Sequence, residues 1–508
     1  MVSPTQLWST TPTAQATVQD VAMDANGRMA AAVVSDGGLG NFDDNEVFAW
    51  DLARAKNSAD AGFGHDPQGG ITAPEGLRVV ALEPAPAGKA DLLAVGREGG
   101  SGSGNENEIY TYAISRGGGS AQNASYPSGG QPNGAVEALW FDLNGSRMLA
   151  HHEGTLSLLK GTGTSFRQLD TWSRSGATIQ DVAVTPDLSY ALVATSSNTP
   201  NQNGGRLDLL SLSDTAIEPA GSKTTTRSTF TAVALDDDAR YVAAGDDAKT
   251  VFYWSLDPNQ ATKDDTDDRN FSKLAWTDTN GPGAVTELAM SGDGLRFAAG
   301  FDSGAFLVYV QTELEDDGPL ATRDTNKPFA TKGAPSEITF TNQDTTLFVQ
   351  SGTVSSPGAL YAFNTLQFNA NASLNPLWLI DGVGTFAASE NGNRLIVGQG
   401  ASVAAYEQAY KAEITHAALS PLQPGDKFSL EVTVRNAGSA YDEYTLDLED
   451  VPSGWSTQID PPIVSVMPGE SATVTANLTA DRSQPPGDAP VTLIAQSRFA
   501  PGADPVGS

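Results

Sequence analysis

The sequence predicts an all-β chain, in which an eight-bladed β-propeller closed by the N-terminal strand is followed by an Ig-like β-sandwich. Three observations support this prediction. A unit of about 50 residues recurs eight times, each unit consists of short apolar strands separated by turn residues, and the C-terminal part alternates apolar and polar residues. The predicted domains are residues 1–408 (propeller), residues 409–500 (sandwich) and an unstructured tail at residues 501–508.

Each unit begins with a strand of small apolar residues and a turn of Asp, Asn, Pro or Gly. A second strand rich in Ala, Val and Leu, an aromatic third strand such as TVFYWSLD, and a less regular fourth strand follow. Four short strands per unit, with no helical periodicity, are typical of propeller blades. Aligned on the first strand, the eight units start at Val21, Val80, Leu139, Val182, Val233, Leu288, Ile338 and Phe386.

The two ends of this repeat region complement each other. The segment QLWST, with Trp8, resembles fourth strands that end at Trp276 and Trp378, but no first three strands precede it, and the eighth unit lacks a fourth strand. We therefore predict that residues 5–10 form the outer strand of the eighth blade, which leaves no exposed edge there. A stack of hairpins or a meander barrel is the alternative. Trp378 is expected to pack between blades.

The run ALYAFN, Trp378, LIVG and VAAYE near the end of the repeats resembles the eight-bladed quinoprotein dehydrogenase-like propellers. Blades five and six resemble WD-repeat units, and Trp50 and Asp51 form the WD dipeptide. This resemblance covers about residues 5–408 and implies a fold rather than an activity. Quinoprotein dehydrogenases use Ca²⁺ and a catalytic Asp, and many carry adjacent cysteines, whereas this chain has no Cys and no matching segment.

The C-terminal part contains the segments FSLEVTVRN and ATVTANLTA, which alternate with period two and predict half-buried strands of a sandwich. The order of features resembles Ig-like domains found beside carbohydrate-active and cell-surface domains. These features are Asn436 to Gly438, Tyr444 to Leu446, Pro452 to Trp455, and Pro468 to Ser471. Trp455 is expected to cap the sandwich core, and a sugar-stacking platform is the alternative.

The composition is strongly acidic, with 61 Asp plus Glu, 29 Lys plus Arg and a formal net charge of −32. Such a surface repels phosphates, which argues against nucleic acid and anionic lipid as partners. The charge favours a halophilic or marine source, and an acidic, Ca²⁺-loaded secreted protein is the competing interpretation. No apolar run is long enough to span a membrane. Five Asn-x-Ser/Thr sequons favour an extracellular or cell-envelope location.

No catalytic residue is predicted, and the chain is expected not to be an enzyme. The sequence contains no G-x-S-x-G motif. His151 and His152 adjoin in one strand, so they point to opposite faces and are expected to be structural. Carboxylates are so numerous that a catalytic pair cannot be chosen from the sequence.

Two groups of residues are candidate sites. Long insertions between the second and third strands of blades one, two and four should emerge on one rim, where binding usually resides. The candidate ligand-binding residues there are Asp43, Asp44, Asn45, Asn105, Glu106 and Asn107. The loop DDTDDRN could bind Ca²⁺ through Asp264, Asp265, Asp267 and Asp268. A solvated acidic turn is the alternative, and apart from this Ca²⁺ no cofactor is predicted.

These observations predict a non-catalytic extracellular or cell-surface scaffold or adhesion protein that binds a protein or another ligand on a propeller rim. A glycan-binding or carbohydrate-processing surface protein is the first alternative. A divergent quinone-dependent dehydrogenase is the second.

Overall fold

The computed structural model describes most of the chain. The described residues are 4–11, 17–35, 46–52, 77–84, 92–97, 109–114, 120–126, 135–152, 154–162, 165–197, 204–225, 228–256, 271, 273–315, 318–323, 328–341, 346–365, 375–408, 410–416, 425–482, 491–499 and 506–507. Every regular element among them is a strand, apart from a single 3-10 residue. The chain divides into two compact units, one with residues 6–375 and 379–406, and one with residues 1–5, 376–378 and 407–508.

The first unit is the predicted propeller, and its first four blades are consecutive antiparallel sheets. Blade 1 has three described strands and blades 2 to 4 have four each. They are β2 (Thr17–Met23), β3 (Met29–Ser35) and β4 (Glu46–Asp51); β5 (Leu77–Leu82), β6 (Leu92–Arg97), β7 (Ile109–Ile114) and β8 (Ser120–Tyr126); β9 (Val136–Phe141), β10 (Arg147–His152), β11 (Thr155–Thr162) and β12 (Ser165–Ser173); β13 (Ala177–Val184), β14 (Tyr190–Ser197), β15 (Gly205–Leu212) and β16 (Ile217–Thr224).

Blades 5 to 8 continue the pattern, and β1 (Thr5–Thr10) belongs to blade 8. The strands are β17 (Phe230–Leu235), β18 (Tyr241–Asp246), β19 (Val251–Ser255) and β20 (Lys273–Asp278); β21 (Val285–Met290), β22 (Arg296–Phe301), β23 (Ala305–Glu315), β24 (Gly318–Arg323) and the short β25 (Phe329–Ala330); β26 (Pro335–Phe340), β27 (Thr346–Thr353), β28 (Ser356–Asn364) and β29 (Trp378–Val383); β30 (Thr385–Ala388), β31 (Arg394–Gln399) and β32 (Ser402–Glu407).

The seam of the ring confirms the predicted closure. The sheet of blade 8 has the order β1-β32-β31-β30, so the first strand of the chain is hydrogen-bonded to the last strand of the propeller. Leu7 of β1 packs on the cluster that joins blades 8 and 1. A fully paired ring removes the unpaired outer edge that blade 8 would otherwise present.

A buried side chain closes the turn between the first two strands of most blades. Oδ1 of Asp24 accepts the backbone N–H groups of Arg28 and Met29 at 2.7 and 2.9 Å. Equivalent bonds are made by Asp142, Thr185, Asp236, Ser291 and Ser389. The same turns need a residue with positive φ, which is Gly27, Gly145, Leu188, Ala239, Gly294 or Gly392.

Glycine in the second strand allows neighbouring blades to approach closely. A Cβ atom on Gly245 would lie 2.2 Å from Cγ1 of Val285 in the next blade. At the same position in other blades, a Cβ atom on Gly96 would collide with Val136, one on Gly300 with Pro335, and one on Gly398 with Val18. Crowding by the next inner strand is therefore the physical reason for the small residues that the sequence repeats.

The second unit contains a sandwich of two antiparallel sheets, ordered β33-β34-β38-β36 and β37-β35-β39-β40. Its strands are β33 (Ala412–His416), β34 (Lys427–Asn436), β35 (Asp442–Glu449), β36 (Ser456–Asp460), β37 (Ile463–Val466), β38 (Ser471–Thr479), β39 (Thr492–Ser497) and β40 (Val506–Gly507). Val432, Tyr444, Val474 and Leu493 are buried between the sheets, and Trp455 packs against this core, as predicted.

Residues 501–508 were expected to be unstructured, but Val506 and Gly507 form β40, which pairs with β39. A two-residue strand has too few side chains to give a periodic signal, so the sequence could not predict it. Trp378 is 1% exposed, as a packing role requires.

Candidate functional site

The inner strands of four blades carry an acidic residue at the same position along the strand. In blades 1 to 7 the pairing of the first two strands is interrupted near the start of the inner strand by a bulge, which re-aims side chains. The residue after the bulge is acidic in blades 1, 4, 6 and 7. These residues are Asp20, Asp181, Glu287 and Glu337. Because inner strands surround the channel, we call these four residues the channel carboxylates.

Asp20 and Asp181 each connect two blades. Oδ2 of Asp20 accepts the backbone N–H of Val80 in blade 2 at 2.9 Å, and Oδ1 accepts the N–H of the following residue at 2.9 Å. Asp181 does the same with Val233 in blade 5 at 2.7 Å. An inner strand has one edge without a partner strand, so these bonds satisfy N–H groups that would otherwise lack an acceptor.

Burial governs the ionisation of both aspartates. It raises the pKa of Asp20 and that of Asp181 to about 6, although their hydrogen bonds act in the opposite direction. Both residues are still partly exposed to solvent. The two carboxyl groups therefore change their protonation state close to neutral pH.

Among the described residues, Glu287 and Glu337 form no comparable hydrogen bond to a neighbouring blade. Within the described residues, Glu337 has no hydrogen-bond donor, and Glu287 accepts only the N–H of Leu288. Burial raises the pKa of Glu337 to about 8, with a further contribution from the charge of Asp20. Burial also raises the pKa of Glu287 well above its usual value, and Asp181 and Glu337 add to this. Repulsion therefore acts between Glu287 and Asp181, between Glu287 and Glu337, and between Glu337 and Asp20.

Neutral side chains complete the contacts between inner strands. The hydroxyl of Thr231 donates to the carbonyl of Val285 at 2.6 Å, and that of Thr286 donates to the carbonyl of Pro335 at 2.9 Å. In blade 7, Gln350 occupies the second-strand position that is glycine in blades 2, 5, 6 and 8. Its Nε2 donates to the carbonyl of Gly384 in blade 8 at 2.8 Å. The channel wall is therefore cross-linked by side chains from one blade to the next.

Blade 3 departs from the pattern, because histidines occupy its second strand. Nδ1 of His151 lies 3.2 Å from Oε2 of Glu137, and Nε2 of His152 lies 2.7 Å from Oγ of Ser157. The pair of Ser157 and His152 has the spacing of a nucleophile and its base. Both are buried inside the blade, with exposures of 0% and 2%, so no substrate can reach them. Burial lowers the pKa of His152 to about 4, and the structure supports the predicted structural role.

The predicted ligand-binding residues Asp43, Asp44, Asn45, Asn105, Glu106 and Asn107 lie outside the described residues. The strands that flank their loops are described. Ser35 and Ser197 pair with the first residues of the inner strands in blades 1 and 4, and Arg97 pairs with Leu77 in blade 2. The ends of the three long loops therefore lie at the end of the sheets where the inner strands begin. The channel carboxylates lie within a few residues of the same end, and we call this end the loop face.

The predicted Ca²⁺ ligands Asp264, Asp265, Asp267 and Asp268 also lie outside the described residues, so this site stays a prediction. Among the residues that are described, no group of three or more His, Asp or Glu side chains has metal-binding geometry. The described part of the chain also contains no helix long and apolar enough to cross a membrane.

Comparison with known families gives one match, in the sandwich. Residues 417–498 match the NPCBM-associated, NEW3 domain of alpha-galactosidase. This agrees with the predicted resemblance to Ig-like domains that accompany carbohydrate-active domains. The match covers less than a fifth of the chain, so it characterises the sandwich and not the propeller. No curated protein matches the chain.

Comparison with solved structures concerns the propeller. Sqt1 from Chaetomium thermophilum superposes with a TM-score of 0.55 at 13% identity, covering 80% of this chain and 99% of that one. The same protein bound to the N-terminus of the ribosomal protein L10 gives a TM-score of 0.53 at 13% identity, covering 80% and 100%. At this identity the similarity shows the propeller fold. The finer resemblance to quinoprotein dehydrogenases stays a prediction.

The channel carboxylates are the feature that sequence reasoning missed. One signal was present, because blades 1 and 4 share the tetrapeptide QDVA at Gln19 to Ala22 and Gln180 to Ala183. A charged residue inside an otherwise small and apolar strand is unusual enough to mark a position with its own partner. Glu287 and Glu337 occupy the same place in TELAM and SEITF.

Proposed function

We propose that this chain is a non-catalytic, extracellular or cell-surface scaffold whose propeller holds a partner protein at the loop face. The observation that carries the proposal is that the strand ends flanking three long loops all lie at the loop face, within a few residues of the channel carboxylates. Enlarged loops on one face of a rigid scaffold are the usual place for binding. The rigidity comes from the closed ring and from the side chains that connect its inner strands.

The extracellular location is part of the same proposal. It is supported by the match of residues 417–498 to the NPCBM-associated, NEW3 domain of alpha-galactosidase, by the acidic composition and by the sequons. Fractionation of the source cells tests it directly. Recovery of the protein only from the cytosol would contradict this part of the proposal.

A second candidate function is glycan binding or processing, and the match in the sandwich is the observation that favours it. A glycan array distinguishes the two functions, because a scaffold for proteins binds no glycan on the array. The half-buried Trp455 is the aromatic residue to replace if a glycan does bind. Its contact with the sandwich core makes a structural effect the expected result of that replacement.

Charge-matched variants test the role of the loop face. The first variant carries Asp43→Asn, Asp44→Asn and Glu106→Gln. The control removes the same number of charges from the sandwich, with Glu413→Gln, Glu431→Gln and Glu449→Gln. Partner proteins cross-linked to the purified chain in the envelope fraction are identified and quantified by mass spectrometry. We expect the first variant to lose a partner that the control retains, and equal retention by both would refute the proposed face.

A further inference from the structure

Two arginines share one buried carboxylate in blade 4. Nε of Arg206 donates to Oδ1 of Asp208 at 2.7 Å, and Nη1 of Arg174 donates to Oδ2 of the same residue at 3.2 Å. The side chain of Asp208 is 6% exposed, whereas those of Arg206 and Arg174 are 30% and 37% exposed. The carboxylate is therefore the buried base of a group whose two guanidinium side chains reach solvent. We call these three residues the arginine site.

The strands place the arginine site at the loop face. Arg206 is the second residue of β15, which begins at Gly205, opposite Ser196 near the end of β14. Arg174 lies in the connection from β12 to β13, and its carbonyl accepts the N–H of Ala177, the first residue of β13, at 3.2 Å. The long loop of blade 4 joins β14 to β15, so it returns to the sheet just before Arg206.

The alternation of side chains along β15 directs the site towards blade 3. Leu209 packs in the cluster between blades 4 and 5, and Leu212 packs in the cluster between blades 3 and 4. Successive side chains of a strand point to opposite faces, so Arg206 and Asp208 share the face of Leu212. Arg174 directly follows the last strand of blade 3. The arginine site therefore lies at the junction of blades 3 and 4.

An arginine with a structural role in this propeller uses its donors differently. Nε of Arg147 donates to Asp142, its Nη1 and Nη2 donate to backbone carbonyls of blade 4, and its side chain is 13% exposed. Within the described chain, Arg206 donates only through Nε and Arg174 only through Nη1. A guanidinium carries five N–H groups. Most donors of the arginine site therefore have no acceptor among the described residues.

The arginine site also carries an excess of positive charge. Two guanidinium groups and one carboxylate sum to one positive charge, and no described ion pair brings a second carboxylate to either arginine. The chain as a whole has a net charge of −32, so the site has the opposite sign. The two guanidinium groups repel each other, because both bind the same carboxylate. A second carboxylate would neutralise the excess charge and accept the free donors.

We propose that the arginine site binds a carboxylate group of a partner protein, held by Arg174 and Arg206. The planar fork of a guanidinium matches the two oxygens of a carboxylate, and such charge-assisted hydrogen bonds are strong. A single carboxylate fits better than a phosphate, since the acidic chain repels a group of higher negative charge more strongly. The protein source rests on the proposed function, because the site adjoins a loop that is expected to hold the partner. The partner then presents an aspartate, a glutamate or its C-terminus here.

Trifluoroacetate is the probe, because its fluorine resonance broadens when it binds, and trifluoroethanol is the uncharged control. Each is titrated into the full chain at pH 7 and constant ionic strength, and we expect broadening of trifluoroacetate alone. Arg206→Gln should weaken binding about tenfold, through the loss of hydrogen bonds to a charged group, and Arg174→Gln should act in the same direction. Arg240→Gln is the matched control, because Arg240 is half exposed, pairs with Asp236 and Asp238, and lies in a turn at the opposite end of the sheets.

Arg206→Lys separates binding from folding. The lysine keeps a positive charge beside Asp208 but has no planar fork, so its affinity for the probe should lie between those of the parent and Arg206→Gln. A melting curve for each variant shows whether it is folded. No broadening with the parent, or no loss of affinity in the two Gln variants, would overturn the inference. If the Gln variants do not fold, an affinity of Arg206→Lys equal to that of the parent overturns it.

Competition experiments identify the ligand class. Acetate should displace the probe, and stronger displacement by inorganic phosphate at equal ionic strength would overturn the assignment to a carboxylate. Displacement by a blocked Gly-Glu-Gly peptide, but not by its Gly-Gln-Gly analogue, supports a protein carboxylate. Displacement by glucuronate alone would indicate an acidic glycan and overturn the protein source, as would displacement by neither. Capture of a partner at the loop face is scored separately with the triple variant, so the inference can fail while the scaffold function stands.

Discussion

Replacing Gly245 by alanine should destabilise the propeller at the junction of blades 5 and 6. The new Cβ atom would lie 2.2 Å from Cγ1 and 2.4 Å from Cβ of Val285, and real Cβ atoms do not approach other atoms below 3.0 Å. Val285 is fully buried and β-branched, so it cannot rotate away, and the two strands must separate. Overpacking of a dense core costs about 1–3 kcal/mol, and we expect about 3 kcal/mol here.

The loss of stability in Gly245→Ala is measured as a fall in the melting temperature. At about 2.1 cal/mol/K per residue, a propeller of about 400 residues has an unfolding entropy near 0.8 kcal/mol/K, so a loss of about 3 kcal/mol lowers its melting temperature by about 4 °C. Gly333→Ala is the control, because its Cβ would meet nothing closer than 3.7 Å. In the background of Val285→Gly, the alanine should cost at least about 1 kcal/mol less. An unchanged melting temperature for Gly245→Ala, or strictly additive costs in the double variant, would refute the packing argument.

Three further predictions concern charge and backbone conformation. Burial raises the pKa of Asp20 and Asp181 from 3.8 to about 6, so the folded chain holds more protons than the unfolded chain between these two values. The melting temperature should therefore fall as the pH rises from about 4 to about 7. Asp181→Asn should reduce this slope, and a profile identical to that of the parent would contradict the assignment. Lys249 is exposed with a φ of 72°, so Lys249→Gly should raise the free energy of unfolding by about 1 kcal/mol in urea titrations, whereas a decrease would show that its backbone is unstrained. Because the net charge is −32, molar KCl should raise the melting temperature, and a flat response would remove the argument for a salt-rich source.

The sequence was sufficient for the architecture because a propeller blade is specified locally. Six of the described turns have their own capping residue, such as Asp24, Asp142 or Asp236, and four second strands have a glycine where the neighbouring blade approaches. The closure of the ring was also predictable, since the first segment and the eighth unit lacked complementary strands. The structure places residues 5–10 in blade 8, as the sequence predicts.

The acidic channel could not be predicted in the same way. Asp20, Asp181, Glu287 and Glu337 are far apart in the sequence, and in a chain with 61 acidic residues no single one is conspicuous. Their convergence depends on bulges in the inner strands, and a bulge is set by the register of two strands rather than by one residue type. The rim residues are predicted from the length and position of their loops and the Ca²⁺ ligands from the Asp content of one loop, and the placement of both stays a prediction.

The pairing of β1 with β32 has a consequence for biosynthesis. The two strands are hydrogen-bonded, yet almost the whole propeller separates them in the chain. At about 5–20 residues per second, the ribosome needs about 20–80 s to produce the partner of the first strand. During that time β1 has no partner strand to pair with. Folding of this domain can therefore be completed only after translation of Glu407. Truncated chains that end before this residue should accumulate with an unclosed ring and depend on chaperones for solubility.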